Sequence, residues 1–66
     1  MITFTPLWKT MQEKGVTTYT LRVKHAMSHA TVQRLQRNQP VSTITLNRLC
    51  EILDCPLSDI AEHVKD

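Results

Sequence analysis

The stretch AMSHATVQRLQRN, residues 26–38, predicts a short helix with a clear beginning and a clear end. Ser28 is a residue type whose side chain accepts hydrogen bonds from the free N–H groups of a first helical turn, so the helix starts there. Val32 and Leu35 mark one inward face. The asparagine that ends the stretch tolerates the left-handed backbone in which helices often stop. The predicted helix covers about residues 28–37 and is basic.

A second short helix is predicted just before it. The segment VTTYTLRVKHAM, residues 16–27, offers Thr17 as a cap and Leu21 as the inward residue. Two short helices joined by a tight turn, the second of them capped and basic, are the plan of a helix-turn-helix. We therefore expect this motif at about residues 17–37, with residues 28–37 as the recognition helix.

Three more helices are predicted around the motif. The first is TPLWKTMQEKG, with Thr5 as its cap and the only glycine at its left-handed end. The fourth begins at Ser42 or Thr43, and its apolar stripe has the helical spacing i, i+3, i+4 and i+7: Leu46, Leu49, Cys50 and Leu53. A fifth, DIAEHV, is capped by Ser58. The sequence predicts an all-α fold of five short helices in a single domain over residues 1–66.

Charge is distributed unevenly along the chain. Residues 14–50 carry six basic side chains and no carboxylate, whereas residues 51–66 carry five carboxylates against one lysine. The formal net charge of +2 hides this separation. Asymmetry of this kind indicates that one surface meets a polyanion.

The chemistry of the predicted recognition helix suits DNA. Glutamine can bond adenine and arginine can bond guanine through two hydrogen bonds, and a threonine methyl can touch the thymine methyl. We expect four residues to contact bases: His29, Thr31, Gln33 and Arg34. We expect the DNA backbone to be contacted by hydroxyls, free N–H groups and basic side chains. The residues that supply them are Thr17, Thr18, Tyr19, Ser28, Arg37, Asn38, Gln39 and Thr43, with Arg48 beside them.

Residues 7–60 resemble the lambda-repressor-like helix-turn-helix domain, also called Cro-like or XRE. The resemblance rests on KGVTTYTL entering the second helix, AMSHATVQRLQRN as turn and recognition helix, and TLNRLCEILDCPLSDI as the closing helices. It implies that Thr18 stands at a backbone-contacting position usually held by glutamine. It also implies that Arg37 and Asn38 lie in the loop that meets the DNA backbone, and that bases or flanking phosphates are faced by His29, Ala30, Thr31, Gln33 and Arg34.

Three residues depart from the family pattern. Arg22 stands where a small apolar residue is usual, and Ala26 and Asn38 stand where glycine is frequent. We expect the Arg22 side chain either to point outward into solvent or to find a partner.

The resemblance and the charge pattern together predict a sequence-specific transcriptional regulator that binds double-stranded DNA. We expect a cytoplasmic repressor that occupies its operator as a homodimer, on half-sites about 34–36 Å apart. Apolar residues near the two ends are the candidate dimer surfaces: Leu57, Ile60 and Val64 in one segment and Ile2 and Phe4 in the other. No apolar run is long enough to span a membrane.

The sequence leaves one other class of function open. The alternative is a protein-interaction module, such as an antitoxin-like or anti-regulator subunit, that keeps the fold but binds another protein. A chain of 66 residues leaves too little room for an enzyme pocket, and no cofactor is predicted. A zinc site formed by His25, His29, Cys50 and Cys55 fits no common finger spacing. We expect the two cysteines to be reduced, small core residues.

Overall fold

The computed structural model describes all 66 residues. Four α-helices, two very short strands and one turn of 3-10 helix make up the fold. In chain order they are β1 (Ile2–Thr3), α1 (Thr5–Lys14), α2 (Thr18–Val23), α3 (His29–Gln36), α4 (Thr43–Leu53), the 3-10 turn (Leu57–Asp59) and β2 (Glu62–His63). The first four predicted helices therefore form.

The predicted fifth helix is wrong. After the 3-10 turn the chain becomes extended, and β2 pairs antiparallel with β1, so that Ile2 lies opposite His63 and Thr3 opposite Glu62. The Asp59 carbonyl, at the start of DIAEHV, accepts a hydrogen bond at 2.8 Å from the buried Thr10 hydroxyl of α1. Pairing with the other end of the chain has overridden a local helical pattern.

Every α-helix contributes to one hydrophobic core. Its ten buried members are Phe4, Leu7, Met11, Leu21, Met27, Val32, Leu35, Leu49, Leu53 and Ile60. The predicted dimer surface is wrong in part. Phe4 and Ile60 are only 4% and 0% exposed, because both are packed in the chain's own core. The other three candidates, Ile2, Leu57 and Val64, are exposed.

The start of α1 differs from the prediction. Phe4, not Thr5, is the N-cap residue, and no side chain caps the helix. The N-cap side chain is a phenylalanine ring, which has no acceptor atom, and Pro6 at the second helical position has no N–H that needs a partner. The next N–H, that of Leu7, donates to the Phe4 carbonyl at 3.0 Å. The other end is as expected, because Gly15 takes the left-handed conformation with φ of 67°.

Two hydrogen bonds hold the turn between α2 and α3 in place. The Met27 N–H donates to the Leu21 carbonyl at 3.0 Å, and the Arg48 guanidinium of α4 donates to the His25 carbonyl. Ala26 adopts a positive φ of 53° within this turn. A left-handed backbone costs an L-residue roughly 1–2 kcal/mol, so the position that often holds glycine in this family is strained here.

Replacing Ala26 by glycine is therefore expected to raise the free energy of unfolding by about 0.5–1 kcal/mol, since relief of the strain outweighs the added freedom of the unfolded chain. Urea denaturation followed by circular dichroism measures the change. Ala30→Gly is the matched control, because Ala30 is exposed in the helical part of α3 and should lose about 0.5–1 kcal/mol. Equal destabilisation by both substitutions would show that Ala26 is not strained.

Candidate nucleic-acid interface

The helices α2, α3 and α4 all begin with a hydroxyl cap, at Thr17, Ser28 and Ser42. In each case the backbone N–H three residues later donates to the cap hydroxyl: Thr20 N–H to Thr17 (3.2 Å), Thr31 N–H to Ser28 (3.1 Å) and Thr45 N–H to Ser42 (3.2 Å). Caps of this kind leave the other N–H groups of the first turn free to bind an anion.

A threonine stands three residues after each cap, and the sequence interpretation missed this repeated spacing. A capping box usually has glutamate or glutamine there. At α2 the threonine reproduces the reciprocal contact without adding charge, because the Thr17 N–H donates to the Thr20 hydroxyl at 3.5 Å. At α3 and α4 the cap hydroxyl and the threonine hydroxyl bond each other instead. The three helix starts are therefore capped without any carboxylate that would repel phosphate.

The recognition helix α3 turns its polar side outward. Val32 and Leu35 are 3% and 0% exposed, which fixes the inward direction. With 3.6 residues per turn, the opposite side carries Ala30, Gln33, Arg34 and Arg37. Of the four residues predicted to contact bases, His29 and Arg34 are exposed, while Thr31 and Gln33 are half-buried.

The hydroxyls at the start of α3 have fixed roles. The Ser28 hydroxyl accepts from the Thr31 N–H and donates to the Thr31 hydroxyl oxygen at 2.8 Å. The proton of Ser28 is therefore used inside the protein, whereas the proton of Thr31 is free. A free hydroxyl donor suits an acceptor such as a phosphate oxygen or guanine N7.

A cleft of about 390 Å³ separates α3 from the start of α4. Thr31 and Arg34 line it on one side, Ser42 and Thr45 line it on the other, and Pro40 and Val41 lie in the loop between them. The cleft brings two of the predicted base-contacting residues next to the N-terminus of α4, where a predicted backbone contact, Thr43, is the first helical residue.

The residues predicted to contact the DNA backbone lie at helix starts or in the loop after α3. All are exposed except the half-buried Thr18: Thr17, Thr18 and Tyr19 at the start of α2, Ser28 at the cap of α3, Arg37, Asn38 and Gln39 in the loop, and Thr43 in α4. Arg22, the departure from the family pattern, is exposed as expected. The Arg48 guanidinium, predicted to lie beside these contacts, donates one hydrogen bond to the His25 carbonyl.

Asn38 connects the loop after α3 to the N-terminal segment. Its backbone is left-handed, with φ of 55°, as the sequence predicts. Its side-chain oxygen accepts a hydrogen bond from the Phe4 N–H at 2.8 Å, a contact that the sequence does not indicate. Part of the side chain is thus used within the fold, and its NH₂ group remains for a partner.

Two substitutions separate these two roles of Asn38. Asn38→Gly keeps the positive φ but loses the bond to Phe4, and we expect it to lower the free energy of unfolding by about 1 kcal/mol. Asn38→Ala loses both features and should cost about 2–3 kcal/mol. Thermal and urea unfolding provide the measurement. If the two variants were equally stable, the backbone conformation would contribute nothing.

No carboxylate belongs to α2, α3 or the loops that follow them. Glu13, Asp59 and Glu62 line a groove beside α1, and the Glu51 carboxylate accepts from the Asn47 amide at 2.8 Å. The one ion pair in the structure joins the N-terminal ammonium and Asp66 at 2.9 Å. The basic side chains of residues 14–50 are consequently not neutralised within the chain, and they give this region its positive potential.

The histidines and cysteines do not form a metal site. The structure contains no group of three or more histidine, cysteine or acidic side chains that could hold a metal ion. Cys50 and Cys55 are free and half-buried against the core. Burial, together with the nearby Cys50 thiol, raises the pKa of the Cys55 thiol. None of the helices has the length and apolar character needed to cross a bilayer.

Helix α3 is capped and basic, and it packs against α2. This arrangement defines a helix-turn-helix domain of the DNA-binding class. A family model for the Cro/C1-type HTH DNA-binding domain matches residues 6–66, and the chain belongs to this family. It is also similar to the crystal structure of transcriptional regulator VanUg, form II, with 29% sequence identity and a TM-score of 0.89. That match covers 98% of this chain and 87% of the other. No curated protein sequence matches the chain.

Proposed function

We propose that the chain is a sequence-specific transcriptional repressor that occupies an operator in double-stranded DNA with α3 in the major groove. The observation that carries the proposal is the outer face of α3, with exposed Arg34 and Arg37 and no carboxylate anywhere in residues 14–50. A carboxylate on this face would oppose phosphate, whereas arginine, glutamine and threonine can each bond a base edge or a phosphate.

Base reading is assigned to His29, Thr31, Gln33 and Arg34. The starts of α2 and α4 and the loop after α3 flank this set, and their free N–H groups, hydroxyls and Arg37 would hold phosphates on either side. These flanking contacts fix the position of α3 along the duplex without reading sequence. One domain of this size makes a modest DNA interface, so two copies on adjacent half-sites would raise both affinity and specificity.

Selection of bound sequences from a random duplex library, by the purified protein at near-physiological salt, tests the proposal. We expect an inverted repeat, because two copies related by a two-fold axis read the same half-site in opposite directions. A salt titration on the selected duplex should show a steep loss of affinity. Recovery of nothing above the unselected pool would contradict the proposal and would favour the protein-interaction module.

A further inference from the structure

The end of α4 brings the two cysteines of the chain together. Helix α4 ends at Leu53, and Asp54 takes the left-handed conformation with φ of 48°. The chain therefore turns back, and the Cys55 N–H donates to the Cys50 carbonyl at 3.1 Å. Inside this bond, the Asp54 N–H donates to the Glu51 carbonyl at 3.4 Å. The two bonds form a Schellman motif, in which the side chains of the two residues joined by the outer bond commonly touch.

The outer hydrogen bond limits the distance between the two cysteines. With standard bond lengths, an N–H to carbonyl bond of 3.1 Å holds the Cα atoms of Cys50 and Cys55 less than about 7 Å apart. A disulfide joins Cα atoms that are about 4.4–6.8 Å apart. Both side chains also pack against the same hydrophobic core. The turn therefore places the two thiols within reach of a covalent bond without unfolding α4.

Both thiols are free and partly open to solvent. Cys50 and Cys55 are half-buried and are the only cysteines in the chain. A small reagent can reach them, and neither has a third cysteine with which to exchange. Neither belongs to α3 or to the helix starts that were assigned to DNA. The proposed function therefore leaves this pair of nucleophiles unused.

The surroundings of Cys55 limit how fast it reacts. Burial raises the pKa of the Cys55 thiol, and the nearby Cys50 thiol raises it further. The carboxylates of Asp59 and Asp54 act in the same direction on this pKa, whereas the Lys14 ammonium lowers it. The thiolate is the nucleophile in exchange with a disulfide. Exchange at Cys55 should therefore be slow at neutral pH and should accelerate as the pH rises.

We propose that Cys50 and Cys55 form a reversible oxidation site, at which exchange with a small disulfide such as oxidised glutathione closes an intramolecular disulfide across the end of α4. The thiolate of one cysteine attacks the glutathione disulfide, which gives a mixed disulfide and releases one glutathione. The second thiolate attacks the protein sulfur of the mixed disulfide and releases the other glutathione. Two electrons pass from the protein to glutathione disulfide, and the two thiol protons end on the released glutathione molecules.

The disulfide is expected to stabilise the fold. Closing a loop this short in the unfolded chain should raise the folding equilibrium constant by roughly 10- to 50-fold. Because the two equilibria are linked, the folded chain must favour the disulfide over the unfolded chain by the same factor. In a reducing compartment both residues stay as thiols, as the sequence predicts. Oxidising conditions would then strengthen the domain, where an unpaired thiol would only collect adducts.

Equilibration of the full chain with mixtures of reduced and oxidised glutathione, at mildly alkaline pH, tests the proposal. Acid quenching followed by intact mass spectrometry counts each species. The wild type should lose the mass of two hydrogen atoms, and its glutathione adduct should stay below about a tenth of the disulfide form, because the second thiol is held at high effective concentration. Excess reduced glutathione should restore both thiols. Accumulation of the adduct on the folded wild type would overturn the proposal.

A matched variant separates the effect of the turn from simple closeness in sequence. The double substitution Cys50→Ser with Glu51→Cys keeps two cysteines a similar number of residues apart, but it moves one of them to the exposed side of α4. This variant should accumulate the glutathione adduct when folded. If it closed a disulfide as readily as the wild type, the turn would not be what pairs the two thiols.

The same titration of the wild type in concentrated urea needs no variant. The preference for the disulfide over the two thiols should fall by roughly 10- to 50-fold when the chain unfolds. An equal preference in the folded and the unfolded chain would show that the fold does not position the pair, and the proposal would fail.

The oxidation site and the proposed function can fail separately, since the exchange needs no DNA. The oxidised chain should bind the selected duplex as tightly as the reduced chain, because neither cysteine lies on the DNA-facing side. A chain that closed the disulfide but bound no duplex would contradict only the proposed function. A chain that bound the duplex but accumulated the glutathione adduct would contradict only the oxidation site.

Discussion

Leu35→Ala is expected to lower the free energy of unfolding by about 2–5 kcal/mol, because it removes a fully buried side chain from the core. Leu35 is fully buried in the ten-residue core and anchors α3 from its inward side. Its truncation removes apolar contact and leaves a cavity that a small, well-packed domain cannot close. A domain of 66 residues has only a few kcal/mol of stability to lose, so a substantial fraction of the chain should unfold.

Urea denaturation followed by circular dichroism measures this effect. Ile44→Ala removes a similar volume from a side chain that is 73% exposed, and it should change stability by less than about 0.5 kcal/mol. A Leu35→Ala protein as stable as the Ile44→Ala protein would mean that α3 is not anchored by this residue. DNA binding of the Leu35 variant should fall together with its folded fraction.

Arg34→Ala and Arg37→Ala should separate base reading from phosphate binding. Loss of a two-bond contact to guanine costs about 1–3 kcal/mol on the selected sequence, so Arg34→Ala should lower specific affinity roughly 5- to 150-fold and non-specific affinity much less. Arg37→Ala should weaken binding to every sequence alike. It should also reduce the slope of log affinity against log salt by about 1.

Fluorescence anisotropy on the selected and on a scrambled duplex, at several salt concentrations, provides these numbers. Lys9→Ala is the control, because it removes the same charge from the surface shared with Glu13, Asp59 and Glu62. It should change affinity little. If the two arginine variants lost affinity equally on all sequences, the assignment of Arg34 to base reading would be wrong.

The helices could be predicted because their determinants are local. Ser28 was recognisable as a cap and Ser42 as one of two candidates with Thr43, and both serines accept a backbone N–H of the first turn. Gly15 and Asn38 were recognisable as helix ends for the same reason. The inward residues of α3 and α4 followed from helical spacing. Each of these features depends on residues fewer than eight positions apart.

The features that could not be predicted depend on residues far apart in the chain. The Phe4 N–H meets Asn38 across 34 positions, and Arg48 meets the His25 carbonyl across 23. The β1–β2 pairing joins the two ends and replaces the predicted fifth helix. Local periodicity carries no information on such pairs, and it gave no reason to expect that Phe4 and Ile60 are buried.

The charge pattern of the candidate interface could be read from the sequence without the structure. Charge is a property of composition, so the absence of carboxylates near α3 is visible in the sequence. The sequence does not show whether a hydroxyl proton is already donated or still free, because that depends on the positions of the neighbouring atoms. Only the structure assigns the Ser28 proton to Thr31 and leaves the Thr31 proton available.

The hydrogen bond from the Phe4 N–H joins the N-terminal segment to Asn38, which follows the recognition helix. A partner that moved the Asn38 side chain would have to break or lengthen this bond, so it would also act on the N-terminal segment. Linkage is reciprocal: if DNA tightens association between copies by some factor, association must tighten DNA binding by the same factor.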